Sequence, residues 1–239
     1  MLSIHAFLLF TWGLLATQAS PIASDVNLGT IVNLRIEGAE KTIFEGPIFT
    51  RGHNVTTVSG GTHHCDGTNN NENPHPGPTC TSALADAAHR EGFAFDGTFD
   101  PEFDDFFITS IADSTETTTA FWGILLDFEF TPVGGCQQEV RFGGNVLWAF
   151  DAFTKAHFLK LVGPATVHSG QPAQFTVTDG MTGDGIGGAR VVASGRGVGP
   201  QTSDTNGVAT FTFQTKGIHN LKADKDDSIR SNGVSILVV

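Results

Sequence analysis

Tyrosine is absent from the 239 residues, and tryptophan and methionine occur only 3 and 2 times, against 20 phenylalanines. Such a chain has ample core material. It has few aromatics with a polar tip, the kind enriched at binding surfaces, which weighs against a sugar-stacking platform. Positive charge is also scarce, with 13 Lys and Arg against 25 Asp and Glu. The deficit is uneven. Residues 20–155 carry 6 basic and 19 acidic side chains, a net −13, whereas residues 156–239 carry 7 and 6, a net +1. Nucleic acid and anionic membrane surfaces are therefore excluded as partners of the first part.

Long apolar runs are missing. The longest, Leu8 to Ala16, is too short to span a bilayer, and it ends in Thr17-Gln18-Ala19 with small residues where a signal peptidase reads. A signal peptide over residues 1–19 is expected, with cleavage after Ala19 and secretion to the extracellular space. No membrane insertion is expected, and the terminal SILVV is too short for a lipid-anchor signal. The sequon Asn54-Val55-Thr56 fits that route. Cysteine is limited to Cys65, Cys80 and Cys136, so one disulfide and one spare thiol are expected. Cys65–Cys80 would staple a local loop. Cys65–Cys136 would constrain the unfolded chain more, by roughly 1 kcal/mol. The sequence leaves both open.

What is present reads as strand. Val32 to Glu37 alternates apolar and polar residues strictly. Thr42 to Thr50 reads as a strand pair interrupted at Gly46-Pro47, Phe121 to Phe130 as one strand, and Val146 to Phe150, apolar on both faces, as a central strand. A single helix is predicted over Ser82 to Glu91, capped by Thr81 or Ser82 and stopped by Gly92. Gly52 to Pro78, rich in Gly, Asn and Pro, reads as one long loop. After residue 156 short alternating segments recur between turn signals such as Asn206-Gly207, the pattern of a β-sandwich. The expectation is a mostly β chain: an α+β domain with one helix over 20–155, then an Ig-like sandwich over 156–239.

Two constellations carry possible chemistry. His63, His64, Cys65 and Asp66, with Asn69, His75 and nearby His53, place imidazoles and a thiol in one segment. Metal binding is outweighed by a hydrogen-bonded polar loop. An oxidised Cys65 offers no thiolate, and adjacent His63 and His64 point apart on a strand. Cleavage after Ala19 would expose Ser20 and leave no amino-terminal His for copper. No metal and no cofactor are assigned. His63, His64, Asp66, Asn69 and His75 remain candidates for ligand binding. The second constellation is Asp96, Asp100, Glu102, Asp104 and Asp105, where paired carboxylates could serve glycoside or ester hydrolysis. Turn residues on a solvated face explain it more simply. Gly183-Asp184-Gly185 and Gly195 to Gly199 open no helix and bind no phosphate. Neither a Gly-x-Ser-x-Gly elbow nor a His-Glu-x-x-His pair occurs.

Taken in order, VNLRIEG, TIFEGPIFT, TSALADAA, ITSIADS, FWGILLDFEF and GGCQQEVRFGGNVLWAF resemble the DUF4430 family, related to the C-terminal β-domain of transcobalamin and intrinsic factor. GGTHHCDGTNNNENPHPGPTCTSALADAA is similar to its fungal branch. The resemblance covers about Ile31 to Phe153 and implies a β-grasp-like fold. Gly143-Gly144-Asn145 departs from the Gly-Asp that many members carry before VLW. ARVVASG, SDTNGVATFTF and the closing segment resemble bacterial Ig-like or invasin-type repeats, which act as spacers or adhesive units. Cobalamin binding does not carry over, because the helical barrel of the carriers has no counterpart here. The chain is expected to be a non-enzymatic extracellular protein that binds a small molecule or a cell-wall or surface component. A secreted hydrolase is the alternative. Ligand identity and oligomeric state stay open.

Overall fold

The computed structural model describes residues 27–195 and 197–239, so the expected leader lies outside the described residues. The protein is mostly β with one α-helix. Its first hairpin pairs β1 (Thr30–Glu37) with β2 (Thr42–Thr50). Gly46-Pro47 does not break β2. The strand lies at a sheet edge, where a missing N–H costs no ladder bond. The short hairpin of β3 (His53–Thr57) and β4 (Gly61–Cys65) follows, so the first part of the segment expected as one long loop is strand. α1 (Cys80–Glu91) starts two residues earlier than predicted. Thr79 is its cap: the Ser82 N–H donates to Thr79 Oγ1 at 3.1 Å and the Thr79 N–H to Ser82 Oγ at 2.8 Å. Gly92, at φ 76°, ends it as expected.

β5 (Phe95–Asp100), β6 (Asp105–Ile111) and β7 (Ser114–Thr115) form a three-stranded sheet. β8 (Trp122–Leu126) and β9 (Glu129–Phe130) replace the single strand expected over 121–130. Asp127 and Phe128 turn between them, both at positive φ, as a two-residue hairpin requires. β10 (Asn145–Phe150) runs parallel to β1 and antiparallel to β8. The order β2-β1-β10-β8-β9, with α1 across one face, is the β-grasp arrangement. Val32, Leu34, Ile36 and Trp148 pack there with Ala83, Leu84 and Ala87 of the helix in one buried cluster.

The second half contains β11 (His157–Val162), β12 (Thr166–Val167), β13 (Pro172–Asp179), β14 (Arg190–Ala193), β15 (Gln201–Thr202), β16 (Val208–Thr212), β17 (Gly217–Asp224), β18 (Ser228–Ile229) and β19 (Val234–Val238). The sheets β16-β13-β11-β18 and β12-β19-β17-β14-β15 enclose Phe175, Phe211, Phe213, Leu159 and Leu221. No helix among the described residues is long and apolar enough to cross a membrane.

The other face of the first sheet meets the second half. Leu125, Leu147 and Ala149 cluster with Phe158 and Ile229, which is why β10 is apolar on both faces. Beside them lies Glu37, 1% exposed. Arg230 Nε donates to Glu37 Oε2 at 2.8 Å, Lys222 Nζ to Oε1 at 2.8 Å, and Thr42 Oγ1 to Oε2 at 2.9 Å. Lys222 also reaches Glu45 at 2.7 Å, and Arg35 Nη1 donates to the Arg230 carbonyl at 2.9 Å. Removing one member of such a buried set strands the others. We therefore expect Glu37→Gln to cost roughly 3–5 kcal/mol. Urea unfolding would read this as a lower midpoint, and an unchanged midpoint would contradict it.

Candidate functional site

Cross-strand pairing in the β3–β4 hairpin decides where the histidines point. Val55 and His63 face inward, whereas Asn54 and His64 face outward as a pair. His63 stacks on Phe99 with ring centroids 3.4 Å apart and contacts Phe106 edge-on. Its Nε2 lies 3.0 Å from the Gly60 carbonyl oxygen. His64 stands between Asp66 Oδ1 (3.3 Å) and Asp104 Oδ2 (3.2 Å). His53 contacts Asp86 of α1 at 3.3 Å, and that hydrogen bond holds its imidazole above the usual pKa range. Burial pushes the Glu139 carboxyl pKa up, with Arg141 and His75 close enough to oppose the shift. The imidazoles thus serve separate partners. Among the described residues no group of three His, Cys, Asp or Glu is arranged to hold a metal ion. The sequon residue Asn54 is exposed.

Two of the other candidates build the loop itself. Asn69 is fully buried. Its amide donates to the His64 carbonyl at 3.0 Å and to the Asp104 carbonyl, and its Oδ1 accepts the Asp66 N–H at 3.3 Å. Asp66 accepts the Thr68 hydroxyl at 2.6 Å. The disulfide is Cys65–Cys136, across 71 residues, and it ties this loop to the segment before β10. Cys80 is free and buried, and burial pushes its thiol pKa up, which makes it a poor nucleophile.

The acidic constellation meets the same loop. Asp104 Oδ2 accepts the Asn70 N–H at 2.8 Å, so the β5–β6 turn and the loop at 64–70 are knit together. Asp100 Oδ1 accepts the Glu102 N–H at 2.8 Å, and Asp96 accepts the Ser59 hydroxyl at 2.6 Å. Asp104 and Glu102 lie in the β5–β6 turn, as expected, whereas Asp96 and Asp100 belong to β5. Asp105 is not on a solvated face. It is 5% exposed, and its carboxylate accepts the N–H groups of Phe106 (2.7 Å) and Cys136 (3.0 and 3.1 Å to its two oxygens). Any side chain at Gly134 would collide with it.

Between the β5–β6 turn and residues 132–137 lies an open groove of about 750 Å³. Phe99, Phe103, Phe107 and Pro132 line it, with Asp105 and Gln137 among the polar groups. Phe103 is 62% and Phe107 48% exposed. Gln137 Nε2 donates to the Phe103 carbonyl at 2.7 Å and fixes the turn that carries this ring. Of the two constellations, only the acidic one reaches this groove, through Asp100 and Asp105; His63, His64, Asp66, Asn69 and His75 do not line it. The aromatic residues within it were missed in the sequence. The available signal was a phenylalanine inside a turn, where no core position is expected.

No family model matches the chain, and no curated protein matches it either.

Burial pushes the Asp105 carboxyl up to about 6, against the pull of the N–H groups of Phe106, Cys136 and Gln137. The folded protein therefore binds more protons than the unfolded chain between roughly pH 4 and 6, so the contribution of Asp105 to stability falls as pH rises through that window. Urea midpoints of the wild type and Asp105→Asn should diverge from pH 4 to 6, in favour of the variant, and run parallel above 6. A pH-independent difference would contradict the burial argument.

Proposed function

We propose that the protein is a secreted, non-enzymatic binding protein, and that its site is the groove beneath Phe103 and Phe107. The carrying observation is two large apolar rings held exposed, Phe103 on a turn hydrogen-bonded to Gln137 and Asn70 and Phe107 on β6, beside the segments that the Cys65–Cys136 disulfide joins. Apolar side chains presented this way cost solubility and suit recognition. The acidic half, with its net −13, selects against polyanions, so the ligand is an uncharged or cationic small molecule or cell-surface component with an apolar face. His64, Asp66, Asn69 and Asp104 form the scaffold of the rim. The resemblance to DUF4430 and to Ig-like repeats supports the same reading: a ligand-presenting β-grasp unit followed by a spacer. A thermal-shift panel of uncharged wall oligosaccharides and small amines tests it. At least one compound should raise the wild-type midpoint and fail to raise that of Phe103→Ser/Phe107→Ser, whose own midpoint stays unchanged. No shift with any compound, or an equal shift in the variant, rejects the groove.

Asp105 favours a second reading, a hydrolase, because a carboxyl near 6 suits a general acid. Its oxygens are already held by backbone N–H groups, and Asp100, its cross-strand partner, accepts the N–H groups of the following turn. Hydrolysis of a polysaccharide or ester that vanishes in Asp105→Asn would be needed to prefer it.

A further inference from the structure

The Phe103 groove carries charge of one sign. Asp100 and Asp105 line it, and among the described residues no Lys, Arg or His does. The two carboxylates are direct cross-strand partners at the end of the β5–β6 hairpin. Like charges placed opposite each other destabilise a strand pair unless a cation intervenes. Among the described residues no cation pairs with either. Asp105 keeps its oxygens on the N–H groups of Phe106 and Cys136. Its carboxyl, pushed up to about 6 by burial, is still ionised at neutral pH. Asp100 Oδ1 accepts the N–H groups of Glu102 at 2.8 Å and Phe103 at 3.4 Å, and no described residue donates a hydrogen bond to its Oδ2.

Apolar surface stands around the same carboxylate. The bond from Phe103 N–H holds Asp100 at the foot of the residue that carries one exposed ring. The other exposed ring, Phe107, belongs to the next pair of the hairpin that faces the same way, Thr98–Phe107. It lies on the diagonal from Asp100, roughly 7 Å away. Pro132 and Val133 add uncharged lining. A neutral apolar ligand would cover the rings and leave the carboxylate pair without a counterion. A bare hydrated cation would do the reverse, and no group of three described residues is arranged to hold a metal ion. A cation dressed in alkyl groups meets both demands, because carboxylates and aromatic faces attract it alike. We propose that the groove binds a small alkylated ammonium, with its nitrogen beside Asp100 Oδ2 between Phe103 and Phe107 and the rest of the ligand along Pro132 and Val133. The inference rests on the reading of this groove as the binding site and narrows its ligand to one class. Asp100, Phe103 and Phe107 are the contacts. Asp105, 5% exposed, acts from beneath as a fixed negative charge.

Calorimetric titration of the full secreted chain at neutral pH and low salt tests the assignment with three probes. Choline supplies the alkylated charge. The neutral alcohol in which a carbon replaces its nitrogen keeps the shape without the charge, and ethanolamine keeps the charge without the methyl groups. Choline should bind, and each of the other two should bind at least roughly tenfold more weakly. Asp100→Asn retains an oxygen for the turn N–H groups, so its thermal midpoint should be no lower than that of the wild type. It should weaken choline by roughly tenfold and leave the neutral alcohol unaltered. Equal binding of the alcohol or of ethanolamine, or undiminished choline affinity in Asp100→Asn, overturns the ammonium class while leaving the groove in place. Choline binding that survives in Phe103→Ser/Phe107→Ser puts the ligand elsewhere and overturns it as well. Absence of choline binding also overturns it, and the thermal-shift panel then decides the groove by itself.

Discussion

Glu37 is the last residue of β1 and is almost wholly removed from water. A carboxylate in that position costs several kcal/mol unless its oxygens are fully partnered. Its partners are Thr42 from the neighbouring strand and Lys222 and Arg230 from almost 200 residues away in the chain. The first half alone cannot meet the demand. The same holds for Leu125, Leu147 and Ala149, whose cover by Ala152, Phe128 and Phe130 of their own half is completed by Phe158 and Ile229. Apolar contact supplies the driving force for docking, and the ion set supplies its register, since a small slide would leave a buried charge unpaired. Two architectures that could each stand as separate layers are thereby committed to one arrangement.

A similar logic of buried demand holds the loop-rich edge of the first half. Residues 134–137 have no strand of their own. They are organised around the Asp105 carboxylate, which accepts the Cys136 N–H, and around the Cys65–Cys136 bond. Asn69 does the same for the segment at 64–70 by spending its whole amide on backbone groups. A buried polar side chain with every bond satisfied rigidifies irregular chain at the positions where repeating backbone bonds are unavailable. Phe103 and Phe107 can stay exposed on such a base without the turn collapsing onto them.

Much of this was legible in the residues, and the failures share a cause. Alternation located the inward faces of the second half, and Phe175, Val177, Ala209, Phe211, Leu221 and Ile236 all lie in its core. The two-sided apolar character of 146–150 marked the central strand, and the opposite orientations of His63 and His64 followed from strand geometry. Hydrophobic period is a local signal, and it worked wherever one face of a regular element met the core. It failed over 52–78, where His, Thr and Gly form a hairpin whose buried face is built largely from imidazole and hydroxyl. It failed again at 121–130, where Asp127 and Phe128 look like any alternating pair and turn only because Asn145 and Gly180 receive them. Asp105 could not be told from Asp104 by type. One carboxylate is a turn residue and its neighbour is a buried anchor, and only the 31-residue reach to Cys136 distinguishes them.

Charge distribution binds these points together. The strongly acidic half and the near-neutral half meet through cations contributed by the latter. Lys222 and Arg230 are two of its seven basic residues, and both are consumed in the interface. Spending them there leaves five basic residues against six acidic ones in the rest of the second half, while the first half keeps its large acidic excess. Because the interfacial groups lie largely within the protein, salt in the surrounding medium screens them far less than the surface acids. Rising ionic strength therefore relaxes the repulsion within the acidic half while leaving the contact between halves intact.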